Sequence, residues 1–221
     1  MKHRRHLIAW TLGFAAALSA TDAPASPAPM AAIPAGSYRP ILVTGAKSIP
    51  VAAFRIDRAP VTNADFLRFV QAHREWSREQ IAPIYAEPGY LGHWQSADVL
   101  GGAPRAAPDR PVVQVSWFAA RAYCVANGKR LPTEAEWERV ATARADKFFG
   151  VRDLEGVWEW VNDFNNAATA FANGSDAMRF CGATAANATD ATDFIAFERV
   201  ALRSSLRARF VLENLGFRCA S

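Results

Sequence analysis

The sequence predicts an α+β domain with few helices, short strands and much ordered loop. Three observations carry that expectation. Helical signals are confined to three stretches, opening at Thr62, Trp117 and Thr133. The long interval 74–110 is rich in Pro, Gly, Trp and Tyr and has no period. Seven tryptophans in 221 residues suggest loops pinned by aromatic side chains rather than by regular ladders. With 51% hydrophobic and 21% charged residues, the chain can bury a sizeable core, which excludes disorder over most of its length. No uncharged apolar run of about 18 residues occurs beyond the N-terminus, which excludes a polytopic membrane protein.

The elements follow in order. Lys2, Arg4 and Arg5 precede an uncharged apolar stretch from Leu7 to Leu18, and small residues follow at Ala17, Ser19, Ala20 and Ala23. This three-part pattern is that of an export signal, and the apolar run is short for a membrane span. Arg4-Arg5 also hints at twin-arginine export. The expected division is a signal peptide at 1–25, a flexible tether at 26–31 within a Pro/Ala/Ser stretch, and one domain over 32–221. The expected location is periplasmic or secreted. Cleavage leaves 22 basic against 20 acidic side chains, so the charge falls from +4 to +2 and gives no reason to invoke nucleic acid.

Within the domain, Ile33–Tyr38 and Val51–Ile56 read as short strands. Thr62 is an N-cap with Asp65 three residues on, and Phe66, Leu67, Phe69 and Val70 share a face of a helix ending near His73. Pro111–Val115 reads as a strand. Trp117–Ala126 reads as a helix stopped by Asn127-Gly128. Thr133 opens a third helix with Glu136 at the capping-box position. Val157–Phe164 and Leu215–Ala220 look extended.

The cysteines are Cys124, Cys181 and Cys219. In an oxidising compartment one disulfide is expected, which leaves one odd thiol, and spacing alone does not choose the pair. If Cys181 is the free one, its plainer reading is a small buried hydrophobe; its sharper reading is a nucleophile or metal ligand.

PVVQVSWFAARAYC (111–124), GKRLPTEAEWE (128–138), GVWEWVNDF (156–164) and NLGFRCA (214–220) together resemble the formylglycine-generating enzyme, or sulfatase-modifying factor, family. IPAGSY (33–38) and FRIDRAPVTNADF (54–66) match the family's opening strands and first helix. The resemblance covers nearly all of the mature chain. It implies a compact, loop-rich, C-type-lectin-like α+β fold and a disulfide between Cys124 and Cys219. It also implies oxidation of a substrate-protein cysteine to formylglycine with molecular oxygen, at a copper ion held by two cysteines. Thiolates are soft ligands that select Cu(I). A gap-free alignment back from Cys219 through Arg203-Ser204 places those two positions on Asp190 and Ile195, and neither is a thiolate. Cys181 is the only upstream candidate, and one sulfur does not make a two-thiolate site, so copper is not expected.

Another branch of the family uses iron held by histidines. Only His73 and His93 remain after processing, and the branch's closely spaced histidine motif is absent. The resemblance also brings a calcium site, matched by Asp153, Gly156, Val157 and Glu159, with oxygen-rich ligation that suits Ca²⁺. The competing reading has Glu159 satisfying nearby main-chain donors. Arg199, Arg203, Arg207 and Arg209 form a cationic set. As a helical face the first three could hold an anion or acidic peptide; the plainer reading is surface pairing with Glu198, Glu213 and Asp193. Two functions survive. One is an exported binding or accessory module that holds a protein, peptide or small molecule in an aromatic-rich groove. The other is an oxygen-dependent oxidoreductase of the family type that uses Cys181.

Overall fold

The computed structural model describes residues 29–39, 47–142, 149–152, 157–163 and 206–221. Its strands come in three short pairs. β1 (Met30–Ile33) runs antiparallel to β4 (Phe54–Asp57), with Met30 opposite Asp57 and Ile33 opposite Phe54. β2 (Gly36–Tyr38) runs antiparallel to β3 (Ile49–Val51). β5 (Trp158–Glu159) runs parallel to β6 (Leu215–Gly216). Three α-helices, α1 (Asn63–Ala72), α2 (Trp117–Ala126) and α3 (Glu134–Thr142), and two short 3-10 turns, Arg74–Trp76 and Pro104–Ala106, complete the described elements.

The helices begin where the sequence punctuates them. The Thr62 side chain accepts from the Asp65 amide, and Asp65 bonds back to the Thr62 amide, closing a capping box. Glu136 does the same for Thr133 ahead of α3. α2 stops at Asn127, and Gly128 takes the left-handed φ of 66° that a helix C-terminus favours. α1 ends at Ala72 with His73 as its C-cap.

The strands depart from the linear pattern. The expected strand Ile33–Tyr38 is two strands, because the chain changes partner at Pro34-Ala35 from β4 to β3. Val51–Ile56 likewise breaks at Ala52-Ala53 between β3 and β4. Met30 and Ala31, assigned to the tether, already pair with β4. Pro111–Val115 is not a strand. Pro111 makes a single bridge to Thr62, and Gln114 turns to φ 52°, which no extended run accommodates. Its valines are apolar because they are buried: Val112 and Val115 are fully enclosed. Of the expected extended stretches Val157–Phe164 and Leu215–Ala220, only two residues each are strand; Phe164 lies outside the described residues.

Two apolar cores flank the C-terminal segment. The larger packs α1 and α2 around Phe66, whose ring lies 5.3–6.3 Å from those of Phe69, Tyr123, Phe217 and Trp94. The smaller joins β1–β4 to Val140, Val151 and Ala220. Residues 217–221 hold the cores together through main-chain bonds rather than as a strand. The Phe217 carbonyl accepts from Val61, that of Cys219 from Asp57, and Ala220 exchanges two bonds with Arg130. Gly216 is required here, since a Cβ would collide with the Val112 carbonyl.

Cys124 on α2 and Cys219 are joined as the family resemblance implies, both fully buried. The bond closes a sequence separation of 95 residues. Chain-entropy arguments give a loop of this size about 4–5 kcal/mol. Replacing both cysteines with alanine is therefore expected to lower the unfolding free energy in urea by about that amount, with a cooperative transition retained.

Candidate functional site

The most enclosed polar centre lies where β4, β5 and the C-terminal segment meet. Arg218 and Glu159 are paired with their side chains entirely removed from solvent. Arg218 Nε donates to Glu159 Oε2 and its Nη2 to Oε1, both at 2.7 Å. Trp137 Nε1 on α3 adds a third bond to Oε2 at 3.0 Å. The rest of the guanidinium donates to the carbonyls of Asp57 and Arg152. Beside this pair, Asp57 accepts from Lys129 Nζ at 2.6 Å and from the Cys219 amide at 3.0 Å. Burial raises the Asp57 pKa, and the bonds from Lys129 and Cys219 only partly oppose it.

This geometry bears directly on the calcium reading. Both Glu159 oxygens are committed to a guanidinium, so a divalent cation at this carboxylate would have to displace Arg218 and leave it buried without a partner. Glu159 therefore does not fit a calcium ligand. Its partners are side chains, not the main-chain donors that the plainer reading expected. Val157 is half-buried beside β5. Asp153 and Gly156 lie outside the described residues. Among the described residues no cluster of three or more His, Cys, Asp or Glu side chains is placed to hold a metal ion.

The histidines are kept apart. His73 caps the C-terminal end of α1, half exposed, with Glu75 3.7 Å from its Nδ1. His93 lies at the other end, with Nε2 3.0 Å from Asn63 Oδ1. A ten-residue helix is about 15 Å long, so the two cannot share a metal. Nδ1 of His93 faces Gln114 at 3.1 Å. Burial lowers the His93 pKa, the Gln114 bond opposes that, and Arg105 reinforces it. Asn63 is a centre in its own right. It donates to the carbonyls of Arg105, Ala107 and Arg110 and accepts from Trp94 Nε1 at 2.8 Å.

The arginine set does not act as one face in its described part. Residues 206–210 are not helical. Arg207 lies over the Phe210 ring at 5.9 Å, and Arg209 pairs with Glu87 at 3.1 Å. Glu213, expected to pair within the set, instead meets Arg105 at 2.6 Å. Arg199, Arg203 and Ser204, together with Cys181, Asp190 and Ile195, lie outside the described residues.

The expectation of loops pinned by aromatics holds in detail. The indole N–H groups of Trp94, Trp117, Trp137 and Trp160 donate to Asn63 Oδ1, the Val161 carbonyl, Glu159 and the Val115 carbonyl. A row of rings reaches the surface. Tyr85 lies 5.6 Å from Trp76 and 5.4 Å from Phe118, which stands 5.5 Å from Trp117, and Arg121 lies over that indole. Tyr85 is 43% exposed and the adjoining Ile84 70%. Sequence reasoning missed the Arg218–Glu159–Trp137 centre. Its signal was an arginine between two residues destined for the core, in Phe217-Arg218-Cys219.

Comparison with known proteins gives these features a context. The family of the sulfatase-modifying factor enzyme 1-like domain matches residues 16–149. A mouse (Mus musculus) relative, "Inactive C-alpha-formylglycine-generating enzyme 2", is 28% identical over 80% of this chain and 77% of its own length. A "Formylglycine-generating enzyme" of Thermomonospora curvata is 33% identical over 46% of this chain and 41% of its own length. A "Hercynine oxygenase" of Mycobacterium tuberculosis is 35% identical over 41% of this chain, which spans 24% of that protein.

Two outcomes are expected of the polar centre. Glu159→Gln leaves the enclosed guanidinium without its counter-charge and should cost about 3–5 kcal/mol, read from urea unfolding. The melting temperature of the full chain should be the same in millimolar Ca²⁺ and in chelator; a rise with Ca²⁺ would show that a calcium site exists elsewhere in the chain.

Proposed function

The chain belongs to the sulfatase-modifying factor enzyme 1-like family, and we propose that it is an exported binding or accessory module of that family rather than a copper-dependent oxidase. The observation that carries this reading is the sulfur inventory. The chain contains three cysteines. Two of them are consumed by the Cys124–Cys219 disulfide. Cys181 is the remaining thiol, and the resemblance requires two thiolates on one copper ion. The residues present do not fit that ion: a disulfide sulfur is not a thiolate, and one soft donor does not make a two-thiolate site.

Two further observations support the module. The mouse relative, matched over most of both chains, carries the word "inactive" in its name. The aromatic row at Trp76, Tyr85 and Phe118, with Ile84 beside it, offers an apolar surface able to hold a peptide or a small molecule. Export rests on the sequence pattern at residues 1–25. Among the described residues no helix is long and apolar enough to cross a membrane.

The relatives named as formylglycine-generating enzyme and hercynine oxygenase favour the second reading, in which oxygen chemistry persists at Cys181 with another donor. Titration of the purified chain with Cu(I) separates the two. The module reading expects no stoichiometric, tight binding and no oxygen uptake in the presence of a cysteine-containing peptide. Tight binding that disappears in Cys181→Ser, accompanied by oxygen uptake, would establish the oxidase instead.

A further inference from the structure

The His93 ring sits where four segments meet: the start of α1, the turn 89–94, the loop 104–110, and residues 111–115 with the C-terminal stretch they bond to. Asn63 cannot turn its amide over. Its Nδ2 serves three main-chain carbonyls, and its Oδ1 receives the Trp94 indole N–H. Reversal would set an oxygen against three carbonyls and an NH₂ against an N–H. The atom facing His93 Nε2 is therefore always an acceptor, so Nε2 must carry hydrogen. The neutral ring then has its lone pair on Nδ1, and Nδ1 is the only atom free to titrate.

Nδ1 faces the Gln114 amide, which is not locked in this way. Its Oε1 stands 3.1 Å from Nδ1. That orientation suits a charged ring, which donates from Nδ1. A neutral ring would set two lone pairs against each other, so the amide must present its NH₂ instead. The exchange needs no extra room, because the oxygen and the NH₂ of an amide are close to the same size.

We infer that Asn63, His93 and Gln114 form a proton-operated latch: Asn63 fixes the Nε2–H tautomer, and the Gln114 amide turns over when Nδ1 gains or loses its proton. The same glutamine holds the joint by its main chain. Its N–H donates to the Leu212 carbonyl and its carbonyl accepts from Leu91. Gln114 and Leu91 both adopt positive φ, 52° and 48°, a conformation that costs energy outside glycine and persists only where the surroundings over-determine it. The amide that turns over thus belongs to a residue of a strained joint between the 89–94 turn and the C-terminal segment.

The surrounding charges set the direction. On α1, Asp65 is held by Thr62 and Arg68. On the 87–94 turn, Glu87 is paired with Arg209, and Tyr90 donates its hydroxyl to the Trp76 carbonyl. On the 104–110 loop, Arg105 is paired with Glu213, with Asp109 and Arg110 further along. Residues 111–115 carry no charged side chain. Burial and Arg105 together outweigh the Gln114 bond, so folded His93 gives up its proton below the ordinary value of 6.5. A group of this kind contributes stability in full above pH 6.5 and loses it as pH falls through the folded value. Acid therefore charges Nδ1 and favours the amide orientation in which Oε1 faces it.

Two-bond ¹H–¹⁵N spectra of the histidines in the full chain, taken from pH 8 to 5, test this. His93 is expected as the Nε2–H tautomer at pH 8, with a midpoint below 6.5. The Gln114 side-chain NH₂ resonances should shift with that same midpoint. Gln114→Glu can only accept, so it should raise the His93 midpoint by about one unit or more, a roughly tenfold gain in proton affinity. An Nδ1–H tautomer at pH 8, Gln114 resonances indifferent to the titration, or a midpoint unmoved in Gln114→Glu would overturn the latch. The two wild-type readouts decide the question if that variant does not fold.

Discussion

The buried Arg218–Glu159 pair is the interaction on which the rest of the structure depends. Its strand pairs run for two to four residues each, too short to hold a domain through ladders. A guanidinium solves this because its five donors lie in one plane and reach several segments at once. Arg218 takes in the Glu159 carboxylate at the end of β5, the Asp57 carbonyl at the end of β4 and the carbonyl of Arg152. Removing both charges from water costs several kcal/mol per ion. The bidentate geometry and the Trp137 bond on Glu159 offset that cost, and what is gained is one relative placement of the two cores.

The Cys124–Cys219 disulfide and the Asp57–Lys129 pair work on the same few residues. Cys219 is covalently tied to α2, its amide donates to Asp57, and its carbonyl accepts from the Asp57 amide. The C-terminal segment is therefore fixed at consecutive residues by a different kind of bond each time. At residue 217 the fixing group is a ring in the aromatic core, at 218 an ion pair, at 219 a disulfide. The apolar Phe217 and Cys219 and the charged Arg218 are all fully buried, because the chain there passes between two cores rather than along the edge of one.

What was legible in the sequence was local. The caps at Thr62 and Thr133 and the stop at Asn127-Gly128 act within four residues of themselves, so a linear reading finds them. Strand limits are not local. Ile33–Tyr38 reads as one short strand, yet the register changes partner at Pro34-Ala35, and nothing in that short run records which distant segment each half pairs with. Pro111–Val115 shows a related confusion, since enclosure by two layers makes a loop as apolar as a strand. The site was less legible than the fold. Spacing left the disulfide pair open, and only the resemblance singled out Cys124 and Cys219. Glu159 was visible as a carboxylate but not as Arg218's partner, because the two are 59 positions apart. His93 looked isolated because its partners, Asn63 and Gln114, are uncharged amides that carry no signal of their own.

The scaffold itself claims the sulfur and polar atoms around the C-terminal segment. A fold built of short pairs needs a covalent tie at its C-terminal segment, and that tie uses two sulfurs. Here the tie is made by Cys124 and Cys219, both buried in the larger core, with Ala220 of the smaller core next along the chain. The polar centre beside it is saturated in the same sense: Glu159 serves Arg218, Asp57 serves Lys129 and Cys219, and neither carboxylate is spare. The groups that hold the fold are spent on one another, which is why the shape by itself does not specify what the domain does.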